Sequence, residues 1–594
     1  MTVPMTPFRG RVLINSCLTA SPDLLWNLPR LNPHTAARCS SSCLQVMSTP
    51  QSAQAGMQTS SISVRISDKS EFHGIVSALG VAHFLGVQFA RIPARFRQAE
   101  LVHPLVMMYG PISPQPPDNS RESRQHLFVG APAANPKQSE FDCLRLNIYT
   151  PRVVISSEEK VPVLVWIHGG GWAIENGNAD FSGDFLVRHS VENKKPIVFV
   201  SINYRLGLLG FLSSSELSEE AAQYGEVGWA NQGLHDQRLA LLWVRQLFHE
   251  VRNHIHLFGG DGSNVTIAGE SAGAWSVLAH LRSDQPLFQR AIIQSAPSWT
   301  MILPEEAQLK FNKLLQWAGV PQGATADEKI AALRSVSAEQ LIAWNDLLMS
   351  PIWDPKWFVG HSSPTSPLDS AEPFPNWVQG IVVGTMRDEL SIFGLERFWQ
   401  TKAMVKSSLN HSLSLPSDPD FSTEVLNEYG ILEAGSDTEA VRGFIRVATD
   451  ACFSRLPYNL ARACDSPDSP YLYVYRFDQV DEERNSPLRG KAFHVLDNTY
   501  LCRYPAVAGP AAPRSCQATA DAFSRMILCH TYGEAPWEPY NIRRLQNVFD
   551  GTDTRLEEVR LDDQCWRKFL TTEERVSIFG RFNNKLFSGL IANW

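Results

Sequence analysis

Features that define several large classes of proteins are missing from this sequence of 594 residues. Its longest apolar runs are short, such as residues 163–167, whereas a membrane-spanning helix needs about 20 apolar residues in succession. The formal net charge is −8, and sites for nucleic acid are normally rich in Lys and Arg. The sequence therefore predicts a protein that neither crosses a membrane nor binds nucleic acid.

Cysteine is sparse, and its spacing is irregular. The 10 cysteines include no C-x-x-C pair, which is the usual spacing of structural zinc sites, and they are too few for a disulfide scaffold. The most glycine-rich segment contains neither a G-K-[ST] nor a G-x-G-x-x-G pattern, so it does not fit a nucleotide loop. We therefore predict no metal and no cofactor.

Residues 1–60 differ in composition from the rest of the chain. They contain four arginines, no lysine and one acid, Asp23, and they lack the apolar segment of a secretory signal. An Arg-rich, Ser-rich and acid-poor composition is typical of a mitochondrial transit peptide. The alternative is a disordered extension, with Met47 or Met57 as the true start. We therefore expect 1–60 to be a disordered or targeting-like extension and 61–594 to form one domain.

From residue 61 onward, short β-branched runs alternate with longer segments of helical periodicity. This alternation predicts an α/β fold, with a large, mostly parallel central β-sheet flanked by helices and with long inserted helical and loop regions. No internal repeat interrupts the pattern. The predicted strands are 163–167, 197–202, 265–268, 381–383 and 471–475.

The pattern G-E-S-A-G at 269–273 follows one of these strands and precedes apolar residues at helical spacing. A strand, a G-x-S-x-G turn and a helix together form a nucleophile elbow, in which small residues leave the serine hydroxyl accessible. The pattern also fits a glycine-rich turn without catalytic function, but both flanks favour the elbow. We therefore predict that Ser271 is a nucleophile.

A serine nucleophile needs a base to take its proton and donors to stabilise the oxyanion that it creates. The segment H-G-G-G-W at 168–172 follows the strand 163–167, and its glycines allow backbone N–H groups to approach a substrate oxygen. The alternatives are a flexible turn or a phosphate cradle. We expect the oxyanion hole to consist of the N–H groups of Gly170, Gly171 and Ala272.

The chain resembles the type-B carboxylesterase/cholinesterase family of α/β-hydrolases, in particular its fungal intracellular members. The resemblance spans roughly residues 75–590, in the order of the family. It is carried by D-C-L-R-L-N-I-Y at 142–149, H-G-G-G at 168–171, N-Y-R-L-G at 203–207, N-Q-G-L-H-D-Q-R at 231–238, F-G-G-D at 258–261, the elbow at 269–273 and W-E-P-Y at 537–540.

This resemblance implies the remaining site residues. The acid of the family lies in a G-x-x-x-D-E pattern, which is present here at 384–389 and makes Glu389 the acid, with Asp388 beside it. The base of the family opens an H-x-x-[DE]-x-x-[YF] pattern, which makes His494 the base. Glu270, next to the nucleophile, is expected to tune the electrostatics of the site or simply to face solvent.

The resemblance implies a serine carboxylesterase that acts on a small or medium-sized ester through a Ser-Glu-His triad and an acyl-enzyme. Three alternatives stay open: a lipase, an esterase or transacylase of secondary metabolism, and a cholinesterase-like adhesion protein without catalysis. The last is disfavoured because every triad position is filled. The expected partner is a small-molecule ester, and the sequence carries no signal for an oligomeric state.

Three departures from the family pattern affect these expectations. Cys143 lacks its usual disulfide partner, because the family's G-P-x-C segment ends here in Ser113. A missing staple is typical of a reducing compartment, so we expect a cytoplasmic protein, or a mitochondrial one if the N-terminus is a transit peptide. Residues 246–252 are an apparent insert, and the proline-rich loop 111–142 does not resemble a lipase lid. Of Trp172, Trp229 and Trp299, the last is the candidate for an acyl-pocket wall.

Overall fold

The structure of the chain is a computed structural model. Four sequence predictions fall outside the residues that it describes: the extension up to residue 59, the insert at 246–252, and the positions of Trp229 and Trp299. Much of the loop 111–142 falls outside them as well. The described residues are 60–67, 70–102, 108–117, 136–226, 228, 230–245, 254–298, 301–344, 350–358, 372–395, 398–464, 466–559 and 564–591.

Fourteen strands are described. They are β1 (Ser60–Ser67), β2 (Ser70–Val76), β3 (Val81–Gln88), β4 (Ala90–Arg91), β5 (Glu100–Leu101), β6 (Arg145–Pro151), β7 (Val161–Ile167), β8 (Val198–Ile202), β9 (Gly260–Glu270), β10 (Arg290–Gln294), β11 (Gly380–Met386), β12 (Tyr471–Phe477), β13 (Leu545–Phe549) and β14 (Arg555–Glu558).

Helices separate most of these strands. They are α1 (Arg152–Ile155), α2 (Asp184–Glu192), α3 (Gly207–Phe211), α4 (Ser215–Gln223), α5 (Gln232–Arg245), α6 (His254–Leu257), α7 (Ala272–Leu281), α8 (Pro304–Trp317), α9 (Ala326–Ser335), α10 (Ala338–Ala343), α11 (Lys402–Ser412), α12 (Phe421–Glu428), α13 (Asp437–Thr449), α14 (Leu456–Arg462), α15 (Leu496–Leu501), α16 (Pro505–Ala508), α17 (Arg514–Thr531), α18 (Tyr540–Arg543), α19 (Cys565–Phe569) and α20 (Glu573–Ile591). Short 3₁₀ helices span Ala179–Phe181, Glu389–Phe393 and Gly551–Asp553, and Asp450–Ser454 forms a π-helical turn.

Twelve of the strands form one sheet in the order β1-β2-β3-β6-β8-β7-β9-β10-β11-β12-β13-β14. The pairs from β8 to β13 are parallel. The pairs at the two edges are antiparallel. All five strands predicted from the sequence are present, and the prediction of a large, mostly parallel sheet flanked by helices is confirmed.

The sheet separates two hydrophobic cores, and strand β7 shows how its sequence supplies both. Val163, Val165 and Ile167 pack into one core, whereas Leu164 and Trp166 pack into the other, and all five are fully buried. Successive side chains of a strand point to opposite faces, so a continuous apolar run suits a strand that is covered on both sides. Each such side chain contributes about 1.5–3 kcal/mol when it is fully buried.

The strand order also determines where a site can form. From β7 the chain moves to β8 on one side, and it later returns to β9 on the other side of β7. At such a reversal, the loops that leave the carboxyl ends of the strands diverge and open a crevice. The loop after β7 and the turn after β9 are the segments that carry H-G-G-G-W and Ser271. Among the described residues, no helix is both long and apolar enough to span a bilayer.

Candidate active site

Ser271 occupies the tight turn between β9 and α7, with φ 55° and ψ −122°. A residue with a side chain held in this region costs about 1–3 kcal/mol, so the surrounding structure has to enforce it. The Ser271 N–H donates to the carbonyl of Gln294 at 2.9 Å. A Cβ on Gly273 would lie 2.1 Å from the carbonyl oxygen of Ile167, so only glycine fits this turn. Ala272 begins α7, and it is 1% exposed.

The glycine loop after β7 packs directly against this turn. A Cβ on Gly169 would lie 2.8 Å from the carbonyl oxygen of Glu270 and 3.1 Å from the Cβ of Ser271. Gly170 and Gly171 both have left-handed backbones, with φ 81° and φ 60°. The structure therefore brings the predicted oxyanion-hole segment and the predicted nucleophile into one place, through contacts that side chains on the loop would prevent.

Glu389 and His494 come from the segments that follow β11 and β12, and their side chains meet. Glu389 begins the 3₁₀ helix that follows β11, and His494 lies in the loop before α15. The Nδ1 atom of His494 lies 2.6 Å from Oε2 of Glu389, and both side chains are buried. The other carboxylate oxygen of Glu389 accepts the Met386 N–H at 2.8 Å. Both oxygens of the acid thus have partners, which fix the orientation of the imidazole.

Glu270 is buried beside the opposite edge of the same imidazole. Its Oε1 lies 3.0 Å from Nε2 of His494, and its Oε2 accepts a hydrogen bond from Asn498 at 3.5 Å. Burial raises the pKa of Glu270 well above its usual value. Burial also lowers the pKa of His494, but the carboxylates of Glu270 and Glu389 raise it more, to about 9. The alternative that Glu270 faces solvent is wrong, because its side chain is fully buried.

Asp497 is a further buried acid near His494, and no role was predicted for it from the sequence. It is fully buried, its Oδ2 accepts the hydroxyl proton of Tyr475 at 3.0 Å, and burial raises its pKa to about 6. Its carboxylate also raises the pKa of His494. A signal was available, because Asp497 is the acidic position of the pattern that identified His494 as the base.

Two aromatic rings that were not predicted from the sequence pack near the imidazole. The ring centroid of Phe453 lies 4.8 Å from that of His494, and the centroid of Phe393 lies 5.8 Å from it. Phe453 belongs to the π-helical turn, and Phe393 ends the 3₁₀ helix that Glu389 begins. π-Helical turns occur frequently at functional sites, but nothing in the local sequence distinguishes Phe453 from an ordinary core phenylalanine.

His168, the other histidine of the site segments, is held by packing and hydrogen bonding to Tyr204. Its ring stacks on Tyr204 with centroids 4.5 Å apart, and the Tyr204 hydroxyl donates to the carbonyl of His168 at 3.0 Å. Burial lowers the pKa of His168 to about 3, so this imidazole is neutral at ordinary pH. Trp172 is also buried, and it packs edge-on against Trp275.

Cys143 is a free, buried thiol, and burial raises its pKa to about 12. Ser113, which stands where the family pattern has the partner cysteine, is also buried, and its hydroxyl accepts the Leu206 N–H at 3.1 Å. The serine thus anchors the loop to the chain by a hydrogen bond. None of the seven cysteines in the described part of the chain forms a disulfide, and those residues contain no cluster that could hold a metal ion.

Comparisons with known proteins identify the family and the fold of the chain. Residues 67–528 match the family model described as the carboxylesterase family. Para-nitrobenzyl esterase of Bacillus subtilis (strain 168) is 30% identical over 450 residues, which cover 71% of this chain and 79% of that protein. Lipase 1 of Geotrichum candidum is 37% identical over 238 residues, 38% of each chain. The solved structure of a thermophilic PNB esterase has the same fold, with a TM-score of 0.65 at 24% identity over 85% of this chain and 99% of that one.

Proposed function

Since the chain belongs to the carboxylesterase family and is a carboxylic ester hydrolase, we propose that Ser271, His494 and Glu389 are its nucleophile, base and acid. The proposed reaction is hydrolysis of a carboxylic ester through an acyl-enzyme on Ser271. The expected substrate is a small-molecule ester, and none of the proposed steps requires a cofactor.

The observation that carries this proposal is the position of His494 between two segments. Its Nδ1 atom lies 2.6 Å from Glu389, which fixes the ring and stabilises its protonated form. Its Nε2 atom lies 3.0 Å from the carboxylate of Glu270, the residue that immediately precedes Ser271. The edge of the imidazole that has to exchange protons with the nucleophile is therefore directed toward the elbow.

The chemistry follows from these roles. Ser271 Oγ attacks the carbonyl carbon of the ester while His494 Nε2 takes the hydroxyl proton, and the former carbonyl oxygen becomes an oxyanion. The ester C–O bond then breaks, and the alcohol leaves with the proton from His494. Water, activated by the same imidazole, attacks the acyl-enzyme and releases the acid. The carboxylate of Glu389 stabilises the imidazolium that forms in each half of the reaction.

The N–H groups of Gly170, Gly171 and Ala272 are the proposed oxyanion donors. They support the reaction only if they are in place before the charge develops, and the close packing of the glycine loop on the Ser271 turn provides this preorganisation. Loss of one such donor typically costs about 3–4 kcal/mol of transition-state stabilisation.

The positions of the Phe393 and Phe453 rings favour a substrate with a small or medium acyl group. Both contact the imidazole that must lie next to the reacting carbonyl, so they restrict the space for the acyl chain close to the scissile bond. Lipase activity is the second candidate, because Lipase 1 of Geotrichum candidum is among the relatives. Rates on a triglyceride that rise sharply above its solubility limit would favour the lipase, and rates that saturate below it would favour the esterase.

Replacement of the nucleophile is the first test. Wild type is expected to hydrolyse p-nitrophenyl butyrate, and Ser271→Ala is expected to lower kcat by at least about 10⁴-fold, because the triad acts as a unit. The substitution removes one hydroxyl group, so the thermal unfolding temperature is expected to stay close to that of wild type. Initial rates and thermal unfolding of the two proteins measure both effects.

Ser263→Ala is the matched control for this test. Ser263 lies on the same strand, β9, but it is exposed and pairs with Asp261. Its substitution is expected to leave turnover unchanged. Full activity in Ser271→Ala would disprove the assignment of the nucleophile, and absence of turnover in wild type over a series of acyl lengths would disprove the proposed activity.

A further inference from the structure

The proposed acid and base lie in the segments that follow β11 and β12, and a pair of hydrogen bonds joins these two segments next to both residues. The Asp388 N–H donates to the carbonyl of Ala492 at 2.9 Å, and the Ala492 N–H donates to Oδ2 of Asp388, also at 2.9 Å. Asp388 immediately precedes Glu389, and Ala492 lies two residues before His494. The two bonds close a ring in which Asp388 supplies both a donor and an acceptor to one residue of the facing loop.

The histidine loop requires such an external constraint. Val495, which follows His494, has φ 73°, a left-handed conformation that is unfavourable for a β-branched residue. Strain of this kind persists only where the surrounding structure enforces it. The backbone of His494 makes one contact with the facing loop, a long hydrogen bond of 3.3 Å to the carbonyl of Glu389. The shorter bonds at Ala492 are therefore well placed to hold the loop.

The other contacts of Asp388 fix its own position. Its carbonyl accepts the backbone N–H and the hydroxyl of Ser391, at 3.0 and 2.7 Å, which anchors the start of the 3₁₀ helix. Arg387 donates to the same carboxylate oxygen that holds Ala492, from a side chain that is 43% exposed. On this side the pair borders a cleft of about 1130 Å³. Arg387 thus compensates the charge of Asp388, whose two hydrogen bonds with Ala492 do not involve the arginine.

We propose that Asp388 is a positioning residue for His494, whose loop it clamps so that the imidazole meets Glu389 in a productive orientation. The inference rests on the proposed triad and adds a residue to its support. Asp388 contacts neither the imidazole nor the elbow, so it acts through the backbone of Ala492. The acidic groups that raise the pKa of the imidazole are Glu270, Glu389 and Asp497, whereas the carboxylate of Asp388 binds the backbone N–H of Ala492.

The clamp predicts a defined pattern among substitutions in the full-length chain. Asp388→Ala removes the acceptor for Ala492, and it is expected to lower kcat on p-nitrophenyl butyrate about 10–100-fold, because misplacement by about 1 Å has effects of this size. KM is expected to change less than about threefold, and the acid limb of the pH profile is expected to stay in place. Asp388→Asn keeps a carbonyl acceptor, so it is expected to restore most of kcat.

Asp418→Ala is the matched control. Asp418 is also partly exposed and paired with an arginine, Arg575, but it touches neither site loop. Its substitution is expected to leave kcat unchanged. Wild-type kcat in Asp388→Ala would overturn the clamp, and so would equal losses in Asp388→Ala and Asp388→Asn, because the second variant retains the acceptor.

A spectroscopic readout separates failure of the clamp from failure of the proposed function. The proton between Nδ1 of His494 and Glu389 should give a downfield ¹H NMR signal, which is assigned by its loss in His494→Gln. The signal is expected to persist in Asp388→Asn and to disappear or broaden in Asp388→Ala. An unchanged signal in Asp388→Ala would overturn the clamp whether or not the wild type turns over esters. Absence of turnover in a wild type that gives the signal would overturn only the proposed function.

Discussion

His494 lies between two buried carboxylates, and each of them meets a different nitrogen of its ring. Glu389 is hydrogen-bonded to Nδ1, which is the usual arrangement of an orienting acid. Glu270 lies beside Nε2, where its charge favours the imidazolium. A base must be neutral before it accepts a proton. Loss of Glu270 should therefore change the pH at which His494 can act, whereas loss of Glu389 should also change the orientation of its ring.

Glu270→Gln is expected to move the acid limb of the kcat/KM profile to lower pH. The substitution removes one of the three carboxylates that raise the pKa of His494, so the imidazole becomes neutral, and therefore competent as a base, at a lower pH. A shift of about one pH unit or more is expected for a charge at this distance. Initial rates between pH 5 and 10 at constant ionic strength measure it.

The control for this experiment is Glu192→Gln, an exposed glutamate that pairs with Arg188 on α2. Its profile is expected to coincide with that of wild type. An acid limb that stays in place in Glu270→Gln, or that moves to higher pH, would show that Glu270 does not stabilise the protonated imidazole.

Sequence patterns predicted some of the candidate site residues and not others. Ser271 was identifiable because a strand, a glycine turn and a helix are all local. Glu389 and His494 required the family resemblance, since one acid or one histidine carries no signal by itself. Phe453 was not predictable, because it comes from a π-helical turn distant in sequence from His494, and only tertiary packing brings the two rings together.

At the scale of elements, the sequence located the strands but not their ends. The run 265–268 predicted the centre of β9, yet the strand extends over Gly260–Glu270. On either side of that run, Gly260 and Gly269 pair with Val161 and Ile167 of β7, although glycine gives no strand signal. Pairing with a neighbouring strand therefore set this boundary, and that neighbour cannot be read from the local sequence.

The glycine loop after β7 leaves no room for a side chain at Gly170. Gly170→Ala would place a Cβ 2.2 Å from the carbonyl oxygen of Ile174, at a residue with φ 81°. The backbone would have to move, and with it the proposed donor N–H groups. We expect kcat to fall by about 10²–10³-fold, as when an oxyanion donor is removed, with a smaller change in KM. Initial rates with p-nitrophenyl butyrate measure both constants.

Gly319→Ala provides the matched comparison. Gly319 also has a left-handed backbone, with φ 73°, but a Cβ there has no atom within 4 Å. It bears the same type of backbone strain without the clash, so its turnover is expected to equal that of wild type. Equal kcat values in the two variants would mean that the loop after β7 does not organise the reaction.

At the scale of the whole molecule, the site is assembled from distant parts of the chain. The glycine loop, Ser271, Glu389 and His494 span more than 300 residues, and the carboxyl ends of the parallel strands bring them together. The alternation of strands and helices predicted a parallel sheet. It did not predict the order in which β8 and β9 lie on opposite sides of β7, because strand order depends on long-range packing. That order places the glycine loop beside the elbow.

If a buried histidine activates one serine of this chain, an organophosphate should label that serine stoichiometrically. Diethyl p-nitrophenyl phosphate phosphorylates a serine only where a base and an oxyanion hole assist it. Intact-mass and peptide mass spectrometry are expected to find one phosphoryl group per chain, on Ser271, and none in His494→Gln. Labelling of another serine, or equal labelling of Ser271 in wild type and His494→Gln, would show that His494 does not activate Ser271.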